Sequence, residues 1–373
     1  MATAIFFICA GAVVYSYAGF PVLLALFTPR RVAPPVEPRA WPTVTILLSV
    51  FNEEKHVAAR LKNFFELDYP ADKLDIIVGS DGSEDGTDAI LAACTDARLR
   101  FERVTPRGGK PRVLNRIAAM AQGELLVFTD ANTFFERDAL KKLARHFSDL
   151  DIGGVCGRLV FVGPEAETDE GAYWKLETFL KTRESHMDSC LGANGGIYAI
   201  RRRLWPTIPD NTFVDDFVIG MRVREQGGRV VYDPEAVATE DLPVKVSAEL
   251  TRRIRIGAGG FQALGLCWRS LLLWRGAYAW AFWSHKVLRW FGPFFLLGAL
   301  AANFFLPVTW WAVTLLGLQI IFYTLAGIGA VRREKKFIFS APHYFVVINV
   351  ALLLGFFRFV TRTQRAAWRR TTR

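Results

Sequence analysis

Hydrophobic positions are spread unevenly along the chain, and that unevenness divides it into parts. Residues 1–29 carry no charged side chain, and the apolar run Ile5–Phe27 is long enough to span a bilayer core of ~30 Å. Phe291–Val331 is again free of charge and too long for one span, so it predicts two, with a bend near Pro307. Phe337–Phe357 makes a fourth candidate. Between these ends, short apolar runs of strand length alternate with helical patterns. Thr43–Val50, Asp75–Ser80, Leu99–Val104, Glu124–Thr129 and Gly154–Val162 read as strands. Glu54–Phe65, Asp85–Cys94, Pro111–Ala121 and Asp138–Phe147 read as helices. Repeated βα units predict an α/β domain, a mostly parallel sheet with helices on both faces. The expected divisions are a transmembrane helix (1–29), a linker with four prolines (30–42) and a catalytic α/β domain (43–255). Interfacial amphipathic helices (256–290) and a C-terminal membrane region of about three segments with a basic tail (291–373) follow.

Composition sharpens this picture. Of 373 residues 51% are hydrophobic, and 46 basic against 36 acidic residues give a net charge of +10. The excess positive charge gathers beside the apolar segments, at Arg30, Arg31, Lys286, Arg289, Arg332, Arg333, Lys335 and Lys336, and in a tail with six arginines from Arg358 onward. That placement fits anionic lipid headgroups and the positive-inside rule, and no basic-aromatic module for nucleic acid is present in the sequence. It puts the large polar region in the cytosol of a multi-pass protein. A fourth span would export the arginine-rich tail, which the rule disfavours. Either that segment is re-entrant or the tail is external, and the inner signals favour a true span. The first segment lacks a basic leader and reads as an uncleaved anchor. Residues 261–290 mix five tryptophans with Arg269, Arg275, Lys286 and Arg289, as helices in the headgroup layer do. The five cysteines lack CxxC spacing and predict reduced thiols.

The candidate chemistry lies at strand ends. Thr129-Asp130-Ala131-Asn132 follows a buried strand, so Asp130 emerges where open α/β sheets place ligands. The acidic turn Ser80–Thr87 ends an earlier strand in the same way, and Val214-Asp215-Asp216 adds further carboxylates. Together they predict an oxygen-rich cleft for a hard divalent cation and a nucleotide. A single Asp after a strand is usually only a cap or turn former. Gly108-Gly109-Lys110 precedes a helix with Pro111 in its first turn, so its amides and ammonium suit a diphosphate. Asp215 beside Asp216 would raise the pKa of Asp216, the useful direction for a general base. Asp215 or Asp216 would otherwise simply cap the helix that follows.

The order Val50-Phe51-Asn52-Glu53-Glu54, SDGSEDGT, Gly109–Asn115, TDAN, GANGG (192–196) and VDD resembles the family 2 glycosyltransferases. The likeness is greatest to membrane synthases of cellulose, hyaluronan, chitin oligosaccharides and poly-N-acetylglucosamine, and it covers roughly residues 43–290. The resemblance implies a GT-A-like fold and an inverting, metal-dependent transfer from a UDP-sugar to a growing saccharide, coupled to export. A single addition to a polyprenyl-phosphate or other lipid is the alternative. A sugar-nucleotide sensor without turnover need not keep Asp130, Asp216 and Arg255 together. Donor binding would fall to Phe51, Asn52, Glu53, Asp81, Lys110, Asp130, Arg252 and Arg255, with Glu53 and Asp81 at the uridine. Mg²⁺ or Mn²⁺ would sit on Asp130 and Asn132. Asp216 would be the base, with Asp215 beside it, and the acceptor would meet Gly192, Asn194, Gly195 and Ile256. Asn132 replaces a second aspartate of many relatives, and Arg252 and Ile256 replace the Gln and Trp of Gln-x-x-Arg-Trp. Ile256 lacks the aromatic face on which a sugar ring stacks, which predicts short or medium products or a single addition. A homo-oligomer is compatible with the sequence.

Overall fold

Three apolar runs form the first half of the sheet's interior. β1 (Val44–Val50), β2 (Leu74–Ser80) and β4 (Leu125–Thr129) are buried nearly throughout and pair in parallel, as strands covered on both faces do. The computed structural model describes residues 1–30, 32–162, 169–241, 246–332 and 336–364. Arg31, Arg333, Lys335 and the last four tail arginines (Arg365, Arg369, Arg370 and Arg373) lie outside the described residues.

β3 (Leu99–Arg103), β5 (Thr133–Phe135), β6 (Ile152–Val162), β7 (Tyr198–Arg201) and β8 (Arg229–Asp241) complete one sheet in the order β3-β2-β1-β4-β7-β6-β8-β5. β7 runs antiparallel to both β4 and β6, and β5 antiparallel to β8, so the expected mostly parallel sheet is present with two reversed strands that make it mixed. β5 and β7 are three and four residues long, too short to show a period in sequence. β8 is disguised by Asp233-Pro234-Glu235, where its register against β6 shifts after Gly157.

The helices are α1 (Ala2–Phe27, with a π turn at Tyr15–Gly19), α2 (Val57–Phe65), α3 (Thr87–Ala92), α4 (Lys110–Met120), α5 (Ala139–Ala144) and α6 (Asp169–Met187). Then come α7 (Asp215–Glu225), α8 (Val246–Leu266), α9 (277–290), α10 (Gly292–Asn303), α11 (Trp310–Arg332) and α12 (Phe337–Val360). Alternation along β1 sends Ile46, Leu48 and Val50 to an apolar cluster with Val57, Leu61 and Phe64 of α2. Leu47 joins the opposite cluster, with Val113, Leu114 and Ile117 of α4. That second cluster continues without a break into Phe20 and Leu24 of α1 and Tyr278 and Phe282 of α9. The α/β part and the apolar end helices therefore share one core.

α1, α11 and α12 are long and apolar enough to cross a membrane. The expected break near Pro307 is present between α10 and α11. However, α10 has only 12 residues, about 18 Å of helix against a ~30 Å core. The span expected there is thus a short apolar helix, leaving three candidate spans among the described residues. The boundary drawn at residue 255 falls inside α8, which runs unbroken to Leu266. Tyr278, Phe282, Ser284 and His285 are buried, while Trp268, Trp274 and Trp283 stay exposed. Tyr15 of α1 accepts a hydrogen bond from Trp280 Nε1 at 2.9 Å, and Arg183 Nη1 donates to the carbonyl of Pro29 at 3.1 Å, so α1 is docked on the catalytic part. α8 and α12 cross where Gly355 meets the backbone of Ala258, an approach that a Cβ would block at 2.7 Å.

Candidate active site

Parallel pairing brings the carboxyl ends of β1, β2 and β4 to one edge, and the loops there build the site. Asp81 follows β2, and its two carboxylate oxygens accept the backbone N–H groups of Gly108 (2.8 Å) and Gly109 (2.9 Å). Both bonds fix the loop that starts α4. Lys110, the first residue of α4, then projects its ammonium to 2.8 Å from Asp130 Oδ1 at the end of β4. The same nitrogen lies 3.2 Å from Asp215 Oδ2, the first residue of α7. That oxygen is buried and makes no hydrogen bond, so charge alone holds it. Gly195 presses against the group: a Cβ there would stand 3.0 Å from Asp216 Oδ2 and 3.6 Å from Asp130 Oδ2. Any larger residue would therefore fill the space beside these carboxylates.

These groups line one part of a cavity of about 1090 Å³. Asn194 and Ile256 are on its wall, Trp174 and Trp290 add aromatic faces, and Tyr17 of α1 and Phe345 of α12 line it from the membrane helices. Asn194 is oriented by its own amide, which donates from Nδ2 to the carbonyl of Gly157 at 2.8 Å. Gly192 lies behind the wall, where a Cβ would strike the ring of Phe217 at 2.5 Å.

Electrostatics separate the acidic groups. Burial, then the charge of Asp215, push the pKa of Asp216 above the ordinary aspartate value, while Lys110 and the Phe217 amide pull against them. Burial alone would lower the pKa of Lys110, but Asp130 and Asp215 more than offset it, so the ammonium stays charged. Arg255 lines the cavity and donates from Nη1 to the carbonyl of Phe213 at 2.9 Å. Arg252 also reaches the wall, yet its guanidinium is engaged by Glu249 at 2.8 and 3.1 Å.

Four of the residues expected at the donor, Phe51, Asn52, Glu53 and Asp81, lie apart from this cavity. Asn52 sits at φ +55, a left-handed conformation that Asn tolerates. It ties two loops together, accepting the Glu84 N–H at its Oδ1 (2.8 Å) and donating its own N–H to Ser83 Oγ (3.1 Å). Glu53 holds His56 at 2.9 Å, and the guanidinium of Arg107 stacks 3.5 Å over the ring of Phe51. None of Phe51, Asn52, Glu53 and Asp81 lines the large cavity. They form the seam between the first two loops beside it.

No set of three or more His, Cys, Asp or Glu residues among those described is arranged to cage a metal ion. The donors present are still the right kind. Asp130 and the orphaned Asp215 oxygen are hard oxygen ligands, and Asn132 uses its amide N–H on Glu240 (2.7 Å), leaving its carbonyl oxygen for a cation. They fit an ion that brings water or phosphate oxygens to complete its shell.

Residues 45–205 match the family described as Glycosyl transferase family 2. It is 22% identical over 237 residues to the poly-beta-1,6-N-acetyl-D-glucosamine synthase of Staphylococcus aureus, covering 59% of this chain and 55% of that one. It is 24% identical over 271 residues to an N-acetylglucosaminyltransferase of Rhizobium meliloti, covering 66% and 63%. The matched part thus spans less than two thirds of either relative. In fold the chain is similar to a mannosyltransferase from Pyrobaculum calidifontis, solved in complex with GDP-Man and Mn2+, with a TM-score of 0.75 over 98% of this chain and 100% of that one at 22% identity. The fold is thus GT-A-like.

Sequence reasoning missed several cavity residues. Glu177 and Lys181 of α6 look in sequence like a solvated pair four residues apart, yet both are buried and line the cavity. The one available signal was that Leu180, an apolar neighbour, shares their face.

Proposed function

We propose that this chain is an inverting glycosyltransferase that moves a sugar from a UDP-sugar to a saccharide or lipid-linked acceptor at a membrane face. One observation carries the reading: Asp130, Asp215 and Asp216 meet around Lys110 in a cavity whose wall also includes membrane helices. Lys110 and Arg255 neutralise the donor diphosphate, and the pinned loop of Gly108 and Gly109 aligns it. Asn194 and the open face of Gly195 receive the acceptor. Its hydroxyl oxygen attacks the anomeric carbon as the bond from that carbon to the diphosphate oxygen breaks. The hydroxyl proton passes to the Asp216 carboxylate, and the nucleoside diphosphate leaves with the bonding electrons. One displacement by one oxygen inverts the anomeric centre. Asp130, with Asn132, would hold Mg²⁺ or Mn²⁺, which supplies Lewis-acid stabilisation of the departing diphosphate when bound.

The relatives' names favour a growing saccharide as acceptor. Ile256 argues for weak retention, but Trp174 and Trp290 supply aromatic faces in the same cavity. A single transfer to a lipid is favoured by a different observation, the contribution of Tyr17, Phe345 and Leu352 to the wall. The apolar segments and the positive-inside pattern support a bacterial inner membrane location with the catalytic part in the cytosol.

Chelation tests the metal. Transfer should stop on exhaustive chelation and return with Mn²⁺ or Mg²⁺ in the parent but not in Asp130→Ala. Full activity without a divalent ion would remove the metal from this scheme. A pH series tests the base. Asp216 works when deprotonated, so the rate should fall as pH drops through its raised pKa. Asp215→Asn removes a charge that raises that pKa, and should move the acid limb of kcat/KM to lower pH. An unmoved limb would assign the ionisation to another group.

A further inference from the structure

The cavity holds a second cluster of charges that the transfer chemistry leaves unused. Lys181 of α6 lines the cavity at 8% exposure, and its recorded hydrogen-bond partner is the thiol of Cys156, with Nζ 4.0 Å from Sγ. Among the described residues that thiol is its one hydrogen-bond partner, a weak one for a buried ammonium. Glu177, one turn back, is already taken by His285 Nε2 (3.1 Å), Lys286 Nζ (3.1 Å) and Arg289 Nη1 (3.2 Å). Glu184 is engaged with His285 Nδ1. Arg289 is 6% exposed and lines the cavity, and its Nη2 is buried without a hydrogen-bond partner. Among the described residues, three cations (Lys181, Lys286 and Arg289) thus face two carboxylates, with spare donor capacity on Lys181 and Arg289.

The position of this excess charge says which substrate it serves. Cys156 Sγ, the partner of Lys181, also accepts the Asn194 N–H at 3.1 Å, so Lys181 stands behind the acceptor loop. Arg289 donates from Nε to the carbonyl of Ser16 at 3.2 Å and stacks 4.9 Å over Tyr17, against the membrane helix α1. The donor diphosphate has its own cations, Lys110 and Arg255, on another wall.

We infer that Lys181 and Arg289 form a subsite for an anionic group on the acceptor, a phosphate or a carboxylate. The inference rests on the transferase reading for the word acceptor, although binding can be measured without turnover. An acceptor entering along α1 would place its charge against Arg289 and Lys181, and its accepting oxygen would then lie toward Asn194 and Asp216. Two sources offer this chemistry, the phosphate of a membrane lipid and the carboxylate of an acidic sugar.

The test measures equilibrium binding of octyl phosphate, octyl β-glucuronide and octyl β-glucoside to the full chain in lipid nanodiscs. The three probes share one tail and differ in charge. A charged probe should bind about tenfold or more tightly than the glucoside, as expected for one charge-assisted contact. Preference for the phosphate identifies the lipid source, and preference for the glucuronide the sugar source. Lys181→Met keeps the volume and removes the charge, so it should abolish the preference without loss of the fold, whereas Lys181→Arg should retain it. UDP-sugar affinity, set on the other wall, should be the same in all three proteins and reports that the site is folded. Equal binding of the three probes by the parent, or an undiminished preference in Lys181→Met, would overturn the subsite. Absence of sugar transfer in the same preparations would count against the transferase reading instead.

Discussion

Asp216→Asn should reduce sugar transfer by about 100-fold or more, the low end for a lost general base, with donor affinity nearly unchanged. The substitution keeps the shape of the side chain, and its carbonyl oxygen can still accept the Phe217 N–H that Asp216 Oδ1 accepts at 2.8 Å. What disappears is the capacity to take a proton at a carboxylate that burial and Asp215 have made more basic than usual. In the proposed scheme the donor is held elsewhere, at Lys110, Arg255 and the pinned glycine loop, so the loss should fall on kcat. Near-normal turnover of this variant, measured as product formed at saturating donor, would remove Asp216 from the base role.

Lys110→Met should be as damaging, and by a separable route. Lys110 is the cation between Asp130 (2.8 Å) and Asp215 (3.2 Å). Without it the carboxylates face one another with no compensation, and the incoming diphosphate meets net negative charge. Donor affinity should fall together with kcat, with a combined loss of about 10²–10³ in kcat/KM, the range for a lost electrostatic stabiliser. Lys110 also lowers the pKa of Asp216, so its removal should shift the acid limb upward, opposite to the shift from Asp215→Asn. A Lys110→Met protein with parental donor affinity and an unmoved limb would show that the ammonium serves only the fold.

The features legible in the sequence were those carried by local pattern. β1, β2 and β4 are unbroken apolar runs ending in polar turns, and each lies within a residue or two of its expected bounds. The loop before α4 was legible from its glycines and proline. The convergence of Asp130 and Asp215, 85 positions apart in sequence, on one ammonium depends on tertiary pairing; the sequence offered only their type and order. The cavity-lining side chains of α6 were hidden because Glu177 and Lys181 mimic a solvent-facing pair. Their burial depends on α9 and α1, far away in the chain. Asp81 illustrates a third limit. Its place at the end of β2 was readable, but its use, accepting two loop amides, follows from how close α4 packs on the sheet.

Nucleotide release by the purified full chain, across a panel of UDP- and GDP-sugars with and without acceptor, tests the central proposal most directly. The proposal predicts release of UDP from at least one UDP-sugar, stimulated by acceptor, accompanied by a product whose new linkage is β when the donor is α, and nearly absent in Asp216→Asn. No release from any sugar nucleotide, or release equal in Asp216→Asn and the parent, would contradict it.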